Sequence, residues 1–324
     1  MARRLQSGTG FDALRIEGGL LPAEFLHTVA ALQAPHQSEA DYGIPAGLKL
    51  RDEIGRYWRI AHSLWQRYAE QAQRTDADAR KAGIDGWLEP LLKEVLGFAD
   101  VHAAPPRIKD ERRFPITNLA CDDQVPLVLT TADHGLDKGE AAFGEEGRKR
   151  SPHGLAREYL NAEEACLWAI AANGTHLRLL RDNPSLTRPA YLEVDLERMF
   201  REELYPDFAA FWLVCHASRL CPREPGRPEH CILEGWRDQA QETGERALER
   251  LRDGVELALR ELGSGFLEHP ANGALRQAIE EGGLSGDAYF QQLLRLIYRF
   301  LFLFTAEDRD VLHAPGAAPE ARAL

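Results

Sequence analysis

The chain has 324 residues, 44% hydrophobic and 28% charged, with 39 Lys and Arg against 51 Asp and Glu for a formal net charge of −12. That length accommodates two domains and a substantial core. The acidic balance excludes a general nucleic-acid coat protein, which must neutralise phosphates, but leaves room for a local basic groove. Five cysteines and no apolar signal region after Met-Ala-Arg-Arg fit a reducing cytoplasm better than a disulfide scaffold.

In chain order, residues 1–82 form an N-terminal helical segment after a loose start. Phe25, Leu26, Val29 and Leu32 have helical spacing that Pro35 ends, and a longer helix carries Ile54, Trp58, Ala61, Leu64, Trp65 and Tyr68. Its aromatic stripe reads as core rather than as a base-stacking surface. Residues 83–205 form an αβ core. Trp87 to Phe98 is a short helix stopped by Gly97, Ala103 to Arg113 a surface loop, and Phe114 to Cys121 a weak strand. Val125 to Thr130 is a stronger strand whose Pro126 places it at a strand start or a sheet edge. Asp133 to Arg150 lacks periodicity and reads as a mobile loop ending in the basic triplet Arg148-Lys149-Arg150.

The centre of the chain follows. Ser151-Pro152-His153 is a helix start, with Ser at the N-cap and Pro at the first helical position. Leu167 to Ala172 is an apolar strand stopped by Asn173-Gly174, a strong hairpin signal, and Thr175 to Arg181 returns antiparallel to it. After an Asn183-Pro184 turn comes a third strand, Ala190 to Leu196. Residues 206–324 are a C-terminal helical region. Leu196 to Leu204 and Phe208 to Leu220 read as helices separated by Pro206, and Pro222 to Pro228 as a domain edge. Gln239 to Leu262 is a further helix, and Tyr289 to Phe304 is apolar nearly all round. Gln291, Gln292, Arg295 and Arg299 interrupt that last run, which is too short to cross a bilayer, so no membrane is expected. A helix apolar on every side needs partners on every side.

The fold class predicted is α+β, a degenerate restriction-nuclease-like αβ core flanked by helical segments. Such nucleases hold Mg²⁺ on an acidic residue and a Glu-x-Lys of adjacent strands. Here the strand Val125 to Thr131 carries neither acid nor lysine. Asp122, Asp123, Asp133 and Asp137 only flank it, with Lys138 in the loop. An endonuclease using Asp122, Asp123 or Asp133 stands as the alternative. Cys215-His216, Cys221 and His230-Cys231 supply zinc-type ligands without finger spacing, so they read as structural residues. Gly263-Ser264-Gly265 lacks the preceding strand of a nucleotide fingerprint. Arg178 and Arg181, three apart on a strand, point to opposite faces, so only one can join His176. The DNA-binding set is Arg148, Lys149, Arg150, His153 and Arg178, because phosphates favour guanidinium and ammonium groups beside a helix N-terminus.

Several segments resemble one family: Ser151-Pro152-His153, Glu158-Tyr159-Leu160-Asn161, Trp168 to Gly174, Leu177 to Asn183, Tyr191 to Leu196, the Gly18 to Pro22 start and the Phe300 to Arg309 end. They look like the N-terminal region of large type IIG-like adenine-specific DNA methyltransferases, especially those of class 1 DISARM anti-phage systems. The resemblance implies a partner methyltransferase domain or subunit that uses S-adenosylmethionine, other defence-system proteins, and DNA. The chain itself has no Asn-Pro-Pro motif, so no catalytic residue, cofactor or metal is assigned to it. The resemblance thus implies a fragment, separate subunit or truncated product serving DNA engagement or assembly. A structural protein–protein interaction module is the further alternative.

Overall fold

The computed structural model describes residues 10–72, 83–145, 147–181, 190–224, 226–308 and 311–312. The Asn183-Pro184 turn, Arg309 and the tail from Ala314 lie outside them. The chain divides into two units, Met1–Glu242 and Thr243–Leu324.

The first unit is a mixed α+β structure around one seven-stranded sheet. Its strands are β1 (Leu14–Glu17), β2 (His102–Ala103), β5 (Asn118–Ala120), β6 (Val125–Leu129), β9 (Trp168–Ala172), β10 (His176–Arg181) and β11 (Ala190–Asp195). Their order is β1-β11-β10-β9-β6-β5-β2, all neighbours antiparallel except the parallel pair β6 and β9. The three-strand run β9-β10-β11 and the Asn173-Gly174 turn follow the sequence expectation. Edge strand β1, by contrast, comes from the stretch expected to be a loose start.

Helix α1 (Ala23–Ala30), helix α2 (Leu50–Ala72) and two π-helical turns, Ile84–Leu88 and Leu91–Val95, precede the central sheet strands. The π turns replace the regular helix expected at Trp87 to Phe98. Pro90, which has no N–H to give a helical ladder, sits between them. Helix α3 (Pro152–Ala162) follows the two short hairpins described below. After β11 come α4 (Leu196–Arg201), α5 (Tyr205–Cys215) and α6 (Ala217–Leu220). Pro206 is in the first turn of α5 instead of separating two helices, a place where its missing N–H costs nothing.

The sheet separates two cores. One face carries Leu119, Val128, Ala169, Ala171 and Leu180 against Leu155, Ala156 and Tyr159 of α3. The other carries Leu127, Leu129, Ile170, Leu177 and Leu179 in the larger core with Trp65, Trp87, Phe200 and Trp212. Alternation along each strand makes this division, since successive side chains leave opposite faces. Arg178 and Arg181 obey it. Arg181 meets buried Glu234 at 2.9 Å, and Glu234 also accepts from Trp168 Nε1 at 3.0 Å and Arg237 at 2.7 Å. This carboxylate ties the sheet to the start of α7 (Ile232–Glu268).

Two loop expectations need correction. Ala103 to Arg113 holds a hairpin, β3 (Arg107–Lys109) and β4 (Arg112–Phe114). Its turn residues Asp110 and Glu111 take φ of +47° and +61° without the Gly that normally signals such a turn. Asp133 to Arg150 holds a second hairpin, β7 (Glu140–Glu145) and β8 (Arg148–Arg150), with a register irregularity. A Cβ on Gly144 would lie 1.9 Å from the Arg148 carbonyl oxygen, so only glycine permits this approach. Pro126 is at a strand start, as expected, but β6 is interior to the sheet; its pairing with β9 begins only at Leu127.

The cysteines also differ from expectation. Cys121 and Cys221 form a disulfide across 100 residues, while Cys166, Cys215 and Cys231 are free and buried.

The second unit contains the remainder of α7, the short α8 (Gly273–Glu280) and α9 (Gly286–Asp308). Tyr289 Oη donates to the Gly263 carbonyl at 2.8 Å, and a Cβ on Gly263 would be 3.1 Å from Leu293, so the two long helices meet closely there. Only Leu293, Ile297 and Ala306 of α9 are buried, while Tyr298, Phe302 and Phe304 are 62%, 72% and 62% exposed. Among the described residues no helix is long and apolar enough to cross a membrane.

Candidate nucleic-acid interface

The basic triplet lies on β8, beside β4 and the exposed side of α3. Glu158 of α3 accepts from two guanidiniums, Arg112 at 2.6 Å and Arg148 at 2.9 Å, and forms an ion pair with a third, Arg150, whose Nε lies 3.3 Å away without a hydrogen bond. Arg150 also meets Glu145 at 2.7 Å and donates through Nη1 to the Arg113 carbonyl at 3.1 Å. Arg112 and Arg150 each lie over Phe114, at 5.1 and 5.3 Å from its centroid. Hydrogen bonding to Arg150 holds the Glu145 carboxyl below its ordinary range.

This arrangement leaves two of the cations without an ion-pair partner among the described residues. Arg112, Arg148 and Arg150 share Glu145 and Glu158, and among the described residues no carboxylate forms an ion pair with the side chains of Arg113 or Lys149, although Glu140, whose pKa is lowered chiefly by Lys138, also feels the Lys149 charge. The tip residues Asp110 and Glu111 are the acids of the adjoining turn. Arg148, Lys149 and Arg113 are exposed and can meet a phosphate; Arg150, with a side chain 2% exposed, instead positions the hairpin.

His153 and Arg178 form a separate, buried cluster at the start of α3. Ser151 caps this helix by accepting from Gly154 N–H at 3.0 Å, and His153 N–H donates to the Leu136 carbonyl at 3.0 Å. Arg178 donates to both Asp137 oxygens at 2.6 and 2.7 Å and to Glu193 at 2.5 Å, with its guanidinium 4.6 Å from the Tyr191 centroid. Its Nη1 is 3.3 Å from His153 Nδ1. Burial, reinforced by the Arg178 charge, lowers the His153 pKa to about 4, so its imidazole is neutral at neutral pH. The anion expected from DNA at this place is therefore met by the protein's own Asp137. The sequence set thus separates into exposed Arg148 and Lys149 and inward-facing Arg150, His153 and Arg178.

The flanking acids are dispersed. Asp123 pairs with Arg107 at 2.6 Å and His102 at 3.2 Å, Asp122 N–H donates to Asp100 at 2.8 Å, and Lys138 meets Glu140 at 3.2 Å. Asp133 lies in the loop after β6. Among the described residues no group of three His, Cys, Asp or Glu has the geometry of a metal site. The zinc-type residues are divided too: Cys221 is in the disulfide, burial raises the Cys215 thiol pKa, and His230 pairs with Glu224 at 3.2 Å.

Arg112, Arg113, Glu145 and Glu158 were absent from the sequence-derived set, although Glu158 is on the polar side of a legible helix. Their convergence depends on the β3–β4 and β7–β8 hairpins. The chain matches no family model, no curated protein and no solved structure. Its architecture defines a mixed α+β protein.

Proposed function

We propose that this chain is a DNA-engaging, non-methylating part of a DNA adenine methyltransferase of restriction-modification or anti-phage type, built on a degenerate restriction-nuclease-like core. The observation that carries DNA engagement is the trio of guanidiniums on Glu158, flanked by exposed Arg113 and Lys149 in a chain of net charge −12. Polyanion affinity depends on such local excess, not on the total charge. Arg113, Arg148 and Lys149 contact phosphates, and Glu158 with Arg150 holds the surface that presents them. S-adenosylmethionine belongs to the methyltransferase part, and no residue here is assigned to it.

The test is duplex-DNA binding by the chain together with its methyltransferase part, followed by fluorescence anisotropy across salt. Neutralising Arg113, Arg148 and Lys149 together is expected to reduce the salt slope by about 2–3, close to one for each phosphate that is no longer neutralised. An unchanged slope and affinity overturn the proposal.

The exposed apolar surface of α9 supports the assembly role, and it equally favours a structural interaction module. Phe302 and Phe304 are too exposed for an isolated helix to be well solvated. The module reading predicts self-association or partner-dependent solubility in sedimentation, and a monodisperse monomer contradicts it.

A further inference from the structure

A cleft of about 760 Å³ opens in the first unit between the second half of α2 and the α4 region, beside the β9–β10 turn. Trp65, Tyr68 and Phe200 line it as an aromatic wall; Glu70, Glu197 and Glu203 supply its acids. Its arginine, Arg201, is already shared by Glu197 at 3.5 Å and Glu202 at 3.6 Å. The volume is within the range of small-molecule sites, and the wall and rim have the usual division into apolar surface and a few polar groups.

Two polar groups in this wall lack protein partners. Tyr68 and Trp65 are only 6% and 8% exposed, and among the described residues neither the Tyr68 hydroxyl nor the Trp65 indole N–H makes a hydrogen bond to protein, although neither atom is sealed from solvent. The fully buried tryptophans differ. Trp87, Trp168, Trp212 and Trp236 each donate at 2.8 to 3.0 Å, as buried polar groups ordinarily do.

The turn explains how the hydroxyl comes to be there. Gly174 has φ of +91°, and a Cβ on it would lie 2.7 Å from Tyr68 Oη. Glycine thus leaves room for a hydroxyl that it does not satisfy. Burial first, and then the Asp133 and Glu197 carboxylates, raise the Tyr68 pKa, so the hydroxyl stays protonated as a donor.

We propose that this cleft binds a small organic cation, an amine or guanidine that also carries a carbonyl or hydroxyl acceptor. Glu70, Glu197 and Glu203 neutralise the cationic head, while Trp65 N–H and Tyr68 O–H donate to the acceptor. The aromatic wall takes the carbon skeleton, and the acids reject phosphorylated or carboxylate ligands. This site is independent of the DNA proposal, whose cations are on β4 and β8.

L-Argininamide, which has a guanidinium, an ammonium and an amide carbonyl, is the probe; glutarate is the anionic control. Calorimetric titration of the full chain is expected to show saturable argininamide binding and none of glutarate. Glu197→Gln and Tyr68→Phe are each expected to weaken binding about tenfold or more, the scale of a missing hydrogen bond to a charged ligand. Both changes conserve shape, and unaltered thermal unfolding of the variants separates a local effect from misfolding. Absence of binding at millimolar argininamide, or equal affinity in both folded variants, overturns the assignment.

Discussion

Arg178 grips Asp137 through two hydrogen bonds of 2.6 and 2.7 Å, although the arginine side chain is 7% exposed and the aspartate 73%. An inward guanidinium thereby fastens a surface loop over the start of α3. Its third contact, Glu193 on the neighbouring strand, makes the sheet the anchor of that loop. Arg178→Met is expected to destabilise the protein by about 3–5 kcal/mol, because it leaves Glu193 partly buried without its partner. Asp137→Asn costs only about 1 kcal/mol or less, since the exposed end of the pair is solvated. Urea unfolding of the two variants checks this order, and equal losses refute it.

Glu158 is a shared counter-charge. Glu158→Gln is expected to cost about 2 kcal/mol by leaving buried Arg150 less well compensated. The same change adds net positive charge to the proposed phosphate surface. DNA affinity should therefore rise while stability falls, an opposition that anisotropy and thermal unfolding can read separately. A fall in both would contradict the proposed surface.

Acid should weaken the fold in a defined window. Burial, reinforced by Arg178 and Arg219 respectively, lowers the pKa of His153 to about 4 and of His216 to about 3. The ordinary histidine value is about 6.5, so below it the unfolded chain takes up protons that the folded state refuses. Their contribution is full above that value and is lost as pH falls towards about 4 and then 3. Asp137, lowered by its bonds to Arg178, loses its contribution as pH falls from the ordinary aspartate range through its depressed value. His153→Phe should flatten the upper part of the profile by up to about 1.4 kcal/mol per pH unit. Urea midpoints measured between neutral pH and pH 4 provide the comparison.

The disulfide supplies a covalent prediction. Thiol titration of the unfolded, unreduced protein should find three reactive cysteines, and five after reduction. Cys221→Ser is expected to cost about 2–4 kcal/mol, as for other cross-links that close long loops. Five free thiols before reduction would exclude the bond.

Gly174→Ala should be costly in a different way. The added methyl meets the Tyr68 hydroxyl at 2.7 Å on a backbone with φ of +91°. The expected loss is about 1–3 kcal/mol, from strain and from displacement of the Tyr68 ring. Thermal unfolding measures it, and a neutral effect would mean that the turn relaxes freely.

Sequence alone determined the features whose causes are adjacent in the chain. The Ser151-Pro152 helix start, the Asn173-Gly174 hairpin and the opposite facing of Arg178 and Arg181 follow from side-chain chemistry within a few residues and from the period of the strand. The apolar periphery of α9 was legible for the same reason. Tertiary structure decided what depends on distant partners: Leu14–Glu17 as a sheet edge, β6 parallel to β9, and Cys121 against Cys221. It also decided the candidate interface. Asp110-Glu111 is a hairpin turn without glycine, and although Gly147 at φ of +80° marks the turn of the second hairpin, the constraint on Gly144 arises only because Arg148 crosses it. Once both form, β4, β8 and α3 bring Arg112, Arg148 and Arg150 to one carboxylate, and that convergence comes from packing rather than from sequence spacing.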